Sequence, residues 1–139
     1  SLAREKNIIM HLAAESYMPQ PKQENIVHEM VTIIGNLVEN AFDAVANSDH
    51  KEVELHMYCD EEFLCIHVSD TGEGILTELS DQLFKKGVSS KGTQRGFGLY
   101  LVQRSLEELG GEIEFETRPG EGTVFTVKIP YEVKEEQDD

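Results

Sequence analysis

Asn36 and Asn40 stand one helical turn apart in the stretch GNLVENAFDAV, Gly35 to Val45, and Asp43 follows on the same face. Asparagine is unfavourable inside a helix because its amide competes for backbone hydrogen bonds. Polar surface and packed amides are the commoner uses of such residues, yet a pair one turn apart in a segment of Leu, Val, Ala and Phe invites a chemical explanation. An amide carbonyl is a neutral oxygen ligand. It suits a hard cation such as Mg²⁺ when phosphates supply most of the countercharge.

Asp70 is the second unusual residue. If Cys59 faces Leu64 across the acidic turn Asp60-Glu61-Glu62, then Leu64, Ile66 and Val68 lie on the buried face with Val53, Leu55 and Met57, and Asp70 continues that row. A carboxylate in an apolar row needs donors or must stay protonated, because burying a lone charge costs several kcal/mol. A strand-end turn aspartate is the ordinary reading. The phase, and the glycines Gly72 and Gly74 that follow in DTGEGI, favour a ligand-reading carboxylate backed by a loop that permits close approach.

A third element is KGTQRGFGLYLV, Lys91 to Val102, in which Gly96 and Gly98 lead into a helix. Free backbone N–H groups and the helix dipole can meet an anion at such a place, and Lys91 and Arg95 add positive charge. Glycine before a helix also serves as a plain N-cap. The pattern lacks the Gly-Lys-Ser/Thr ending of a Walker loop and does not follow a strand as a dinucleotide-binding loop would.

The elements that must hold these residues are legible from periodicity. NIIMHL, Asn7 to Leu12, is a short strand candidate, and Pro19 and Pro21 mark a connection after it. Ile26, Met30, Ile33, Leu37, Ala41 and Val45 recur at helical spacing from Asn25 onward, which predicts a helix of about five turns. VELHMYC and LCIHVSD predict an antiparallel hairpin. A Gly-rich, poorly periodic region runs from Thr71 to Gly98. Leu99 to Leu109 predicts a second helix stopped by Gly110 and Gly111, and EIEFETR and TVFTVKI predict a second hairpin around Pro119-Gly120-Glu121-Gly122. The whole predicts an α+β fold, a two-layer sandwich with one mixed sheet covered on one face by helices.

Composition sets the bounds. The 139 residues, 39% hydrophobic and 28% charged, suit one domain with a single core. No run approaches the ~18 to 20 apolar residues of a membrane helix. No basic-then-apolar leader opens the chain, and its start at Ser1 in place of Met suggests a fragment or a processed chain. A formal charge of −15 argues against a nucleic-acid partner, since phosphate backbones are repelled. The tail KEEQDD, residues 134–139, has no apolar residue to bury and is expected to fray beyond a domain of residues 1–133. Cys59 and Cys65 lack metal-ligand spacing and are expected to be reduced thiols.

In this order the elements resemble the ATP-binding catalytic domain of the GHKL superfamily, specifically that of a two-component sensor histidine kinase. Asn36-Leu37-Val38-Glu39-Asn40-Ala41 looks like the N box, Asp70-Thr71-Gly72-Glu73-Gly74 the G1 box, Phe84 the F box and Gly96-Phe97-Gly98-Leu99 the G2 box. GTVFTVKIP, Gly122 to Pro130, is similar to the family's closing strand. The forms GNLVENAFDA and GVSSK-x3-RGFGLYLV are closest to the kinases that sense citrate or C4-dicarboxylates. The resemblance implies a Bergerat-type fold, ATP and Mg²⁺ as cofactors, and Asn40 as the metal ligand with Asn36 beside it. It further implies that Asp70, helped by Thr123, accepts from the adenine exocyclic amine, that Gly72 and Gly74 admit adenine, and that Gly96, Gly98 and Leu99 form the phosphate loop. Phe84, Lys91 and Arg95 would belong to an ATP lid. Two departures stand out: Asp43 occupies a position where many histidine kinases are basic, and Phe84 is the single lid phenylalanine.

The implied activity is transfer of the ATP γ-phosphoryl group to a histidine on a separate dimerisation and phosphoacceptor domain of the same kinase, which then serves a response regulator. The implied setting is the cytoplasmic side of a membrane-anchored parent. None of His11, His28, His50, His56 or His67 sits in an acceptor motif; His28-Glu29 imitates one but lies two to three turns from the phosphate site on its own rigid helix. Two other readings stand beside this one. A hydrolase resembling gyrase, mismatch-repair or heat-shock ATPases would carry a glutamate base where this chain has Asn36, and an amide cannot take a proton from water. A nucleotide-gated interaction module would bind without turnover.

Overall fold

The computed structural model describes residues 9–12, 26–75 and 97–130. Its elements in chain order are β1 (Ile9–Leu12), α1 (Ile26–Val45), β2 (Glu52–Cys59), β3 (Phe63–Asp70), α2 (Phe97–Leu109), β4 (Glu112–Arg118) and β5 (Gly122–Pro130). Five strands form one sheet in the order β1-β2-β3-β5-β4. β1 pairs in parallel with β2, and the other neighbours are antiparallel, so the sheet is mixed as expected.

α1 forms because its apolar residues fall on one stripe. Ile26, Met30, Ile33, Leu37, Ala41, Phe42 and Val45 are all buried, while Val27 and Val31 lie outside the stripe and are exposed. α2 contributes Val102, Leu106 and Leu109, and both helices pack together over the same sheet face. That face offers Val53, Leu64, Ile66, Val68, Phe125, Val127 and Ile129. The single core therefore lies between two layers. Truncating a residue at its centre, such as Leu37→Ala, costs about 2–5 kcal/mol by the usual cavity penalty.

The hairpin register is the expected one, with Cys59 opposite Leu64 and Val53 opposite Asp70. Asp60 fixes its turn: its Oδ1 accepts from Glu62 N at 2.8 Å and Phe63 N at 2.7 Å, and these bonds hold its carboxyl below the usual range. α2 ends where Gly111 N donates to Leu106 O at 2.8 Å. It begins at Phe97, two residues before the Leu99 expected from periodicity. On β4 the residues facing away from the helices are Glu112, Glu114, Glu116 and Arg118, all exposed. Charge on that last strand discourages pairing with another sheet.

Candidate functional site

Where α1 packs against the first turn of α2, the two asparagines meet a glycine. Asn36 and Asn40 are half-buried beside the core residues Leu37 and Ala41. Asn36 donates from Nδ2 to Thr32 O at 2.7 Å, which ties its amide back to its own helix and turns Oδ1 toward α2. A Cβ on Gly98 would lie 3.3 Å from Asn36 Oδ1 and 3.5 Å from each end of the Asn40 amide. Gly98 thus lies flat against both amides. The early start of α2 places it inside the helix and not in the loop before it, a correction to the expectation that it precedes the helix.

Asn40 differs from its neighbour. Its Nδ2 is buried with no hydrogen-bond partner among the described residues. An unmet buried donor costs about 1–3 kcal/mol, so this amide gains from a ligand as Asn36, already bonded, does not. That N–H calls for an acceptor such as a phosphate oxygen, while the amide's Oδ1 is the atom whose chemistry fits a hard cation shared with phosphates. Among the described residues no three of His, Cys, Asp and Glu converge on a point, so a Mg²⁺ here would rely on an amide and on nucleotide oxygens.

The second half of the site hangs from the end of β3. Asp70 is half-buried and stands directly across from Thr123, which is 4% exposed. Asp70 Oδ1 accepts from Gly72 N at 2.9 Å. The loop after it is held on three sides. Thr71 Oγ1 accepts from Glu52 N at 2.9 Å and donates to His50 O at 2.7 Å, fastening it to the start of β2. Gly72 is pressed on the end of α1, where a Cβ would fall 2.5 Å from Ala44 O and 2.8 Å from Ala44 Cβ, a distance no side chain tolerates. Glu73 O accepts from Gly120 N at 2.8 Å, and Ile75 N donates to Thr117 Oγ1 at 2.7 Å. Gly74 adopts φ 81° against Arg118 O. Gly122 has φ 133°, and the Asp70 carbonyl fills the space a Cβ would need, so only glycine lets β5 approach β3 at this level.

The two halves share α1 as their ruler. Asn40 meets Gly98, and Ala44, one turn on, meets Gly72. The structure therefore brings Asn36, Asn40, Gly98 and Leu99 to one end of a surface and Asp70, Gly72, Gly74 and Thr123 to the other. Leu99 is half-buried against the core. Phe84, Lys91, Arg95 and Gly96 lie outside the described residues.

Thr117 was missed by the sequence reading. It follows Ile113 and Phe115 on the helix-facing side of β4, the same polar continuation of an apolar row that singled out Asp70. Its hydroxyl lies 3.0 Å from Thr123 Oγ1.

Residues 26–133 match the family model for the histidine kinase-, DNA gyrase B- and HSP90-like ATPases. The chain is 40% identical over 121 residues to the sensor histidine kinase DcuS of Escherichia coli (strain K12), covering 87% of this chain and 22% of that protein. It is 43% identical over 133 residues to the sensor protein CitS of Bacillus subtilis (strain 168), covering 95% of this chain and 24% of that protein. The chain thus spans about a quarter of the length of these relatives. In fold it is similar to full-length ShkA solved with AMPPNP, with a TM-score of 0.79 at 24% identity over 96% of this chain and 28% of that one. The relatives' names agree with the citrate and C4-dicarboxylate resemblance drawn from GNLVENAFDA and GVSSK-x3-RGFGLYLV. By the extent of the family match, this chain belongs to the histidine kinase-, DNA gyrase B- and HSP90-like ATPase family.

Proposed function

We propose that this domain binds Mg²⁺-ATP and passes the γ-phosphoryl group to a histidine on a separate dimerisation and phosphoacceptor domain of the same kinase, with a response regulator as the final recipient. The observation that carries this reading is the pair of amides on α1 closed by Gly98 and aligned, through Ala44 and Gly72, with the Asp70–Thr123 pair. That spacing addresses the two ends of one nucleotide.

In this reading Asp70 accepts from the adenine amine, and Gly72 and Gly74 leave room for the ring. Asn40 holds Mg²⁺, which offsets phosphate charge when bound. Gly96, Gly98 and Leu99 border the phosphates, and Lys91, Arg95 and Phe84 act from the lid. The bond from the γ-phosphorus to the bridging oxygen breaks, a bond to the imidazole nitrogen forms, and ADP leaves. Positioning and charge neutralisation are the protein's main contributions to such a transfer.

A kinase is favoured over a hydrolase by Asn36, whose amide is tied to Thr32 O and offers no base. Among the described residues no helix is long and apolar enough to cross a membrane. We place the domain on the cytoplasmic side of a membrane-anchored parent, in keeping with relatives named as a sensor histidine kinase and a sensor protein. The test is calorimetry of ATP and ADP with millimolar Mg²⁺, followed by phosphate transfer to an added phosphoacceptor domain. One adenine-nucleotide site and acid-labile phosphate on the added domain are expected. Absence of nucleotide binding would overturn the reading.

A further inference from the structure

Thr117 Oγ1 is a junction. It accepts from Ile75 N at 2.7 Å, lies 3.0 Å from Thr123 Oγ1 and lies 3.4 Å from Gly122 O. We propose that Thr117 is a positioning residue that sets the hydrogen-bonding sense of the Asp70–Thr123 pair, making the pocket selective for a 6-aminopurine over a 6-oxopurine. The inference rests on the adenine reading above and names what enforces it.

A hydroxyl has one hydrogen to give and two lone pairs. Ile75 N–H occupies one lone pair of Thr117. Its hydrogen then has two acceptors within reach, and the Thr123 oxygen at 3.0 Å is favoured over the Gly122 carbonyl at 3.4 Å, which lies beyond the ordinary O–H···O range. In the proposed arrangement Thr117 gives its hydrogen to Thr123, the nearer of the two oxygens. The hydrogen of Thr123 is left to point elsewhere, and at 4% exposure it must find its acceptor inside the pocket.

Asp70 is directly opposite, with its side chain on the same sheet face. The pair then presents a donor beside an acceptor. A 6-aminopurine edge offers the complement, a ring nitrogen that accepts beside an amine that donates. A 6-oxopurine offers a ring N–H and an oxo group, setting donor against donor and acceptor against acceptor. Mismatch of this kind discriminates strongly because buried polar groups are left unmet. If Thr117 were silent, Thr123 could turn its hydrogen away and accept instead, and the pocket would tolerate either edge.

The test compares binding of ATP and inosine triphosphate in Mg²⁺ for the wild type, Thr117→Val, Thr117→Ser and Asp70→Ala. Valine keeps the shape and removes the hydroxyl. It should weaken ATP about tenfold while leaving inosine triphosphate within about twofold, lowering the ATP preference about tenfold. Serine should restore the preference. Near-ultraviolet circular dichroism checks folding, and Thr117→Ala replaces valine if that variant fails to fold. A valine variant that melts earlier but keeps the wild-type ratio shows a merely structural residue and overturns the inference. If Asp70→Ala lowers the ratio and Thr117→Val does not, only the role of Thr117 falls. If Asp70→Ala leaves the ratio unchanged, the adenine reading fails and takes this inference with it.

Discussion

Gly98 on α2 lies against Asn36 on α1 so closely that a Cβ on the glycine would be 3.3 Å from the amide oxygen. The contact joins two motifs more than sixty residues apart in sequence at the place proposed for the phosphates. Gly98→Ala therefore separates site geometry from stability. Alanine favours a helix over glycine by about 0.5–1 kcal/mol, and the contact asks the amides to yield only a few tenths of an ångström. The variant should melt no earlier than the wild type yet bind Mg²⁺-ATP several-fold more weakly. Unchanged affinity would show that the amides do not need to stay in place.

Asn40 and Asp70 should fail in different ways. Asn40 carries the buried Nδ2 without a partner among the described residues, whereas Asp70 Oδ1 organises the Gly72 loop. Asn40→Ala removes the amide oxygen that would ligate Mg²⁺ together with that N–H, and should weaken nucleotide mainly by abolishing the gain from Mg²⁺. Asp70→Asn keeps an oxygen for Gly72 N but loses charge, and should weaken nucleotide equally with and without metal. Titrations of ATP and ADP in Mg²⁺ and in EDTA distinguish the two, and identical losses in both buffers would remove the division of roles.

Much of this was legible because period and chemistry agreed. The stripe Ile26 to Val45 placed both asparagines at the edge of the core, and the phase from Cys59–Leu64 placed Asp70 on the helix-facing side. Other features depended on tertiary contact. The parallel pairing of β1 with β2 leaves no local mark, because a strand's partner is set across a long connection. The start of α2 at Phe97 defeated a reading that treats glycine as a helix breaker, since Gly98 is kept there by what it packs against. Thr117 was passed over because a threonine at a strand end is ordinary until its neighbours are known.

On the sheet face away from the helices, His67 titrates abnormally. Burial, and then the neighbouring His56, hold its pKa below the ordinary histidine value. Its ring stacks on Tyr58 at 5.7 Å, lies 5.9 Å from His56, and places Nδ1 3.1 Å from Thr126 Oγ1. As pH falls through about 6.5 the unfolded chain takes up a proton before the folded one does, so stability falls from there until the folded pKa is reached. His67→Gln removes that titration. Urea midpoints measured at about pH 7.5 and about pH 5.5 should differ less for the variant than for the wild type. An equal drop in both would show that His67 is not the group involved.

The proposed choice of kinase over hydrolase turns on Asn36. Its Nδ2 is bonded to Thr32 O, so the amide oxygen faces Gly98 and can contact phosphate or orient a water without accepting a proton. General-base catalysis typically contributes ~10²–10⁴-fold, so the wild-type domain should hydrolyse bound ATP slowly even at saturation. Asn36→Glu loses the donor to Thr32 O, and its carboxylate, repelled by that carbonyl, is driven toward the phosphate side. It should act there as a base, while its charge weakens nucleotide binding. Single-turnover hydrolysis of prebound ATP should therefore be faster in the variant, with lower affinity and with transfer to the phosphoacceptor histidine unchanged or reduced. If the wild type already hydrolyses rapidly and Asn36→Glu abolishes it, the amide is part of a water-activating site, and the chain acts with the hydrolytic branch of its family.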